Sequence, residues 1–363
     1  MKDISPWSDE LPDDYQEIID KFGLEKFNVN EFPNPNHLMM RNIIFAGRGL
    51  KVISDCIKQK KDFYVLSGIM TSSEKIHLGT KSIIDMISYF QRQNAQTYVC
   101  IADLEALCTR NISLEESKKR ALNFHIPIYL ALGLDIKKTT FYFQSENKTV
   151  LHLSYAFSSK VTLNEYRAIY GNSEPSRILA ALTQSADILF PQTIKKMPGI
   201  IPVGVDQDPH IRLTRDIVSR YKDYNFITPG SIYNKFVPSL DGSLKMSKSN
   251  INSAIFLPED KNSACKKIMR ALTGGRKDVE EQRKIGGVPE NCMVFELYKQ
   301  HLIEDDKKLN KVYEECKTGK ILCGECKKNA CDLMNKFLDS LNENFNKFKE
   351  RIDDAKILKF KNN

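Results

Sequence analysis

The stretch FYVLSGIMTSSEKIHLGTKSIIDMISYF, residues 63–90, decides the fold. Its first four residues are aromatic, β-branched or aliphatic and read as a strand, and a polar loop with Ser67, Gly68 and Gly79 follows. Beyond the loop Ile83, Ile84, Ile87 and Phe90 recur at spacings of one, three and three, which is one face of a helix. The same alternation continues outward. TYVCIA (97–102) and TTFYFQS (139–145) read as further strands, with a helix between them that Ser113 and Glu116 open as a capping box and that runs to about residue 131. IIPVGVD (200–206) is a fourth strand leading into DPHIRLTRDIVSRY, which has helical periodicity. Strand followed by helix, repeated, predicts an α/β fold with a mostly parallel sheet covered by helices.

After about residue 265 the strand signals fade. Phe337, Leu341, Phe345, Phe348 and Ile352 recur every three or four residues, so the last hundred residues read as all-helical. The chain's 363 residues suit two or three compact units. Hydrophobic residues at 41% and charged residues at 28% exclude a disordered or collagen-like chain. No apolar run is long enough to span a bilayer, and the acidic start MKDISPWSDELPDD lacks the layout of a secretory signal. Nine cysteines without an export signal fit a reduced, cytoplasmic protein. Residues 1–40 hold 3 Lys/Arg against 9 Asp/Glu, a net −6, whereas the whole chain is +8, so residues 41–363 carry +14. Residues 264–363 hold 22 Lys/Arg against 17 Asp/Glu, a net +5. A basic body points to an anionic partner such as a nucleotide or nucleic acid, although solvated lysine faces would give the same balance.

Two motifs supply the chemistry. His77-Leu78-Gly79-Thr80 stands where a loop enters a helix, and unpaired N–H groups at such a start suit phosphate. An imidazole there can hydrogen-bond a polyphosphate oxygen, and Gly79 lets a flat base or ribose approach. Lys245-Met246-Ser247-Lys248-Ser249 follows the turn signal Asp241-Gly242. Two lysines three apart, with the Ser247 hydroxyl between them and Ser249 after, form a cation clamp for a leaving pyrophosphate.

Together HLGT and KMSKS resemble the two signature motifs of class I aminoacyl-tRNA synthetases. SSEKIHLG (72–79), LTQSADIL (182–189), PVGVDQDPHIRLTRDI (202–217) and SAIFL (253–257) resemble the tryptophanyl branch of the archaeal and eukaryotic type. So do ALTGGR (271–276), EEQRKIGGVPE (280–290), GKILCGECK (319–327) and, near the start, Pro6-Trp7 and DKFG (20–23). The resemblance implies an N-terminal segment (1–58), a Rossmann-type catalytic domain with a helical insertion (59–262) and an all-α anticodon-binding domain (263–363), in a homodimer. It implies ATP with Mg²⁺, L-tryptophan and tRNA(Trp) as the reaction partners. It places Ser72, His77, Gly79, Thr80 and residues 245–249 on ATP, with His77, Lys245 and Lys248 catalytic, and Gly68, Glu105, Gln184 and Gln207 around tryptophan. Chemically, an indole needs one acceptor among apolar walls, and its ammonium needs carboxylate or amide oxygens.

The chain departs from the pattern at Thr80, where the family has a second histidine, and at Leu66 and Cys100, where relatives place a tyrosine and a glutamine. Cys292, Cys316, Cys323 and Cys326, with Cys331 behind them, have a spacing similar to that of an iron–sulfur cluster in some bacterial members; zinc and plain buried thiols are the other readings. A tyrosyl synthetase, a nucleotidyltransferase with only the His motif, and a silent RNA-binding paralogue are the competing functions.

Overall fold

The computed structural model describes residues 15–171, 174–243, 245–246 and 250–360. Eight strands form one sheet in the order β1 (Glu25–Lys26), β2 (Ile44–Arg48), β8 (Gly230–Asn234), β7 (Gly199–Gly204), β3 (Tyr64–Ile69), β5 (Gln96–Ile101), β6 (Thr139–Phe143), β10 (Lys356–Ile357). From β8 to β10 all neighbours are parallel; β2 and β1 add an antiparallel edge. A separate antiparallel ribbon joins β4 (Ile76–His77) to β9 (Phe256–Leu257).

Side-chain alternation builds a core on each face of the sheet. Val65, Val99, Phe141, Phe143 and Ile200 point to one face and pack with Ile84, Ile87 and Phe90 of the helix Leu78–Arg92. Tyr64, Leu66, Tyr98, Cys100, Tyr142 and Ile201 point to the other, against Leu182 and Leu189 of the helix Pro175–Ile194 and Ile211 of the helix Asp208–Arg220. Burial on both faces explains why these strands read as continuous apolar runs.

Two expectations need correction. The capping box at Ser113 is only half made: the Ser113 hydroxyl accepts from the Glu116 N–H (3.1 Å), while the Glu116 carboxylate pairs with Arg120 (2.8 Å) instead of returning to the cap. The helix it opens passes through a π-helical turn at Ala121–His125 before ending at Ala131. The last hundred residues are not wholly helical, because β10 returns to the sheet and pairs with Thr140–Phe141. Two residues are too short a strand to show a period. Residues 15–58 supply two strands of the sheet, and Phe27, Leu38, Ile44 and Ile53 share one core with Met334, Leu338 and Leu341 of the long tail helix Cys323–Glu350.

Candidate active site

From β3 the chain moves outward to β5 and β6, then returns on the other side as β7 and β8. That reversal opens a crevice at the carboxyl ends of the central strands, where ligands bind in open α/β sheets. A cavity of about 510 Å³ lies there. Gly68, Ser72, His77, Gly79, Thr80, Glu105, Gln184, Gln207, Lys245 and Met246 all line it, as do the divergent Leu66 and Cys100. Ser247, Lys248 and Ser249 lie outside the described residues, as do Pro6 and Trp7.

The two motifs meet through the ribbon. His77 pairs with Phe256, so the segment that follows KMSKS is hydrogen-bonded to the segment that opens HLGT. His77 is the N-cap of the helix Leu78–Arg92, and its Nδ1 accepts the Gly79 N–H at 3.1 Å. A Cβ on residue 79 would come within 2.9 Å of that ring, which is the local reason for glycine there. At Gly68 a Cβ would meet nothing within 4 Å, because that face of β3 opens into the cavity. On the far wall Lys245 donates to Asp206 Oδ2 (2.9 Å) and lies 4.9 Å from the centre of the Phe236 ring. The Met246 N–H is tied to Val237 O (2.8 Å), and its side chain is buried.

The cavity lining also holds two carboxyl groups. Desolvation pushes Glu105 up to about 7, a rise that Arg110 moderates. Asp187, buried at the floor, is also pushed up to about 7 by desolvation, against donation from Tyr142 Oη to Oδ1 (3.0 Å) and from Gln144 Nε2 to Oδ2 (2.6 Å). His210 lines the same cavity beside Tyr170, and burial holds it neutral, down to about 3. Sequence reading passed over Asp187, Gln144, Asp206 and His210. Asp187 lies three residues after Gln184, on the same helix face, but Thr183 and Ser185 make the run too polar for that spacing to single it out.

The tail cysteines lie close together. Burial, and then the other thiols nearby, pushes Cys316 up to about 11 and Cys326 up to about 12. Glycines make the room: a Cβ at Gly275 would meet Cys323 Sγ at 2.7 Å, and one at Gly287 would meet Cys316 Sγ at 2.9 Å. Among the described residues, however, no three His, Cys, Asp or Glu side chains are placed to hold a metal ion. The expected cluster or zinc site thus finds no support in this geometry.

A crevice at a parallel sheet's switch point, with an imidazole and a motif lysine facing one cavity, defines a nucleotide-binding α/β enzyme of the HLGT/KMSKS class. Residues 58–339 match the family model for tRNA synthetases class I (W and Y), and the chain belongs to that family. Within it the similarity is to tryptophan–tRNA ligases. The Methanocaldococcus jannaschii enzyme is 41% identical over 360 residues, covering 96% of this chain and 97% of that one. The Hyperthermus butylicus enzyme is 40% identical over 362 residues, with 96% of each chain covered. The crystal structure of tryptophanyl-tRNA synthetase from Aeropyrum pernix superposes with a TM-score of 0.89 at 38% identity, covering 99% of this chain and all of that one.

Proposed function

We propose that the chain activates L-tryptophan with ATP and transfers it to the 3′ end of tRNA(Trp), releasing AMP and pyrophosphate. The observation that carries this reading is the single cavity lined by His77 and Lys245 together with Glu105 and Asp187. The tryptophan carboxylate attacks the α-phosphorus and pyrophosphate leaves; the 2′-hydroxyl of the terminal adenosine then attacks the mixed anhydride. Both steps need positioning and stabilised phosphate charge, with no covalent enzyme intermediate. His77 and Thr80 serve the phosphates, with Ser72 and Ser249 beside them and Gly79 under the adenosine, while Lys245 and Lys248 draw off pyrophosphate. Mg²⁺ arrives with ATP.

For the amino acid, Asp187 offers an acceptor to the indole N–H among Leu66, Cys100 and Ile188, and Glu105, Gln184 and Gln207 offer oxygens to the ammonium. A related solved structure, the tryptophanyl-tRNA synthetase of Encephalitozoon cuniculi, 26% identical with a TM-score of 0.85, is bound to tryptophan. Tryptophan-dependent ATP–pyrophosphate exchange tests the reading, with tyrosine as the competing substrate. Lys248→Ala should lower the exchange rate by about 100-fold, as for one lost preorganised charge; an unchanged rate removes Lys248 from the reaction.

The tail, residues 263–363, would bind the anticodon arm through its net positive charge, and the enzyme would work in the cytoplasm as a homodimer. Exposed Tyr155, Leu163 and Leu179, in the helices between β6 and β7, support an apolar contact between copies. Light scattering at twice 41.6 kDa is the expected result. The iron–sulfur or zinc reading of the tail rests on the cysteine spacing in the sequence alone, since no described group is placed to hold a metal. It requires a visible absorbance band or bound zinc in an anaerobic preparation, and a colourless, metal-free protein removes it.

A further inference from the structure

The helical tail touches the catalytic helix Leu78–Arg92 through a π-helical turn, Tyr298–Leu302. Such turns are rare in helices and often sit at functional places. This one is gripped by the short helix His37–Met40 and the residue that ends it. His37 Nε2 lies 3.0 Å from Gln300 O. The nearly buried Arg41 guanidinium donates to Lys299 O (2.6 Å), Ile303 O (2.6 Å) and Glu304 O (2.8 Å) and pairs with Asp306 (2.7 Å). On its other side the same short helix is fastened to the catalytic helix: the Asn36 amide reaches Met86 Sδ (3.6 Å) and Tyr89 Oη donates to Pro33 O (2.8 Å). Lys81, one turn from His77, pairs with Asp85 (2.7 Å) and lies 5.9 Å from the centre of the tail's Phe337 ring. A continuous set of contacts thus runs from the tail to the residue that caps the phosphate end of the cavity.

His301 stands at the middle of this contact. It is buried, and neither ring nitrogen has a hydrogen-bond partner among the described residues. Burial, with Lys81, His37 and His77 close by, holds it far below the usual imidazole range, so it is neutral. A buried donor and acceptor left unpaired destabilise a fold, whereas an apolar ring of similar size would not. A π-turn carrying such a group, clamped from outside by Arg41, has the makings of an element with two arrangements.

We propose that the turn Tyr298–Leu302 couples the RNA-binding tail to the helix that carries His77, with His37 and Arg41 as positioning residues and His301 gaining a partner when the turn moves. The inference rests on the tail's proposed role in binding tRNA. Adenylate formation needs only the cavity, so the coupling is felt when RNA is bound. Arg41→Ala should leave tryptophan-dependent exchange within about threefold of the parent and lower the aminoacylation kcat about tenfold or more, a typical size for coupling between sites. Arg41→Lys, which cannot span all of these acceptors, should lie between the two. His301→Phe should raise the melting temperature and yet lower aminoacylation, a combination that a purely structural residue does not give. Equal losses of exchange and aminoacylation in either Arg41 variant, or full aminoacylation by His301→Phe, would overturn the coupling. Absence of tryptophan-dependent exchange in the parent protein would instead sink the functional reading.

Discussion

Asp187 and Glu105 line one cavity, and burial, which disfavours their charge, pushes both carboxyl groups up to about 7. In the proposed role, substrate tryptophan favours the ionised forms. Its apparent KM should therefore rise as pH falls through about 7, the value to which both groups are pushed up. Asp187→Asn should raise that KM about tenfold or more, the cost of a lost hydrogen bond to a charged group, and flatten part of the pH profile. Steady-state exchange kinetics between pH 6 and 8 check both, and a profile identical to the parent's would contradict the role given to Asp187. Glu105 was legible through the family resemblance, since a carboxylate just after a strand is equally a favoured helix-start residue. Asp187 was not, since nothing in LTQSADIL distinguishes a residue facing a cavity from one facing a neighbouring helix. Cys100 and Leu66 acquire a context here: Cys100 borders Asp187 at the pocket floor, and burial with the nearby Asp187 charge holds its thiol well above the usual range.

Among the elements, the strand–loop–helix of residues 63–90 was readable because its strand is buried on both faces and its helix keeps one apolar stripe. Elements of two residues were not. β10 has no period of its own; it is fixed by Leu358 N–H donating to Phe141 O (2.8 Å) and by Phe360 packing 6.2 Å from Phe190. Removing residues 356–363 should lower the melting temperature and leave the β6 edge open to intermolecular pairing, seen as concentration-dependent aggregation. Exchange activity should survive, since none of the segment's described residues, 356–360, lines the cavity; lost activity in the monodisperse fraction would contradict this. Arg48 and Asp208 are a second device invisible in sequence. Asp208, at the start of the helix after β7, is fully buried and paired to Arg48 of β2 (2.8 Å), while Arg48 also holds Phe22 O (2.8 Å). Arg48→Ala removes the nearest cation from that carboxylate, leaving Arg212 (3.3 Å) and the Tyr233 hydroxyl, and should cost about 3 kcal/mol of stability in denaturant titration, the lower end for a broken buried pair. A change below about 1 kcal/mol would show the pair to be dispensable.

At the scale of the whole molecule, one core joins residues of the sheet to residues of the tail helix Cys323–Glu350. The alternation of strands and helices gave the parallel sheet, but the N-terminal strands β1 and β2 escaped notice because acidic, loop-rich sequence surrounds them. What brings HLGT and KMSKS together is the His77–Phe256 pairing, a contact between residues far apart in the chain that no local pattern encodes. The most direct test of that convergence is ATP–pyrophosphate exchange by the purified protein with tryptophan, tyrosine or no amino acid, alongside His77→Ala and Lys245→Ala. Exchange should depend on tryptophan alone and fall by about 100-fold in each variant, as expected when a group facing developing phosphate charge is lost. Exchange that is absent with tryptophan, equal with tyrosine, or untouched by both substitutions would contradict an adenylate-forming cavity between these two motifs.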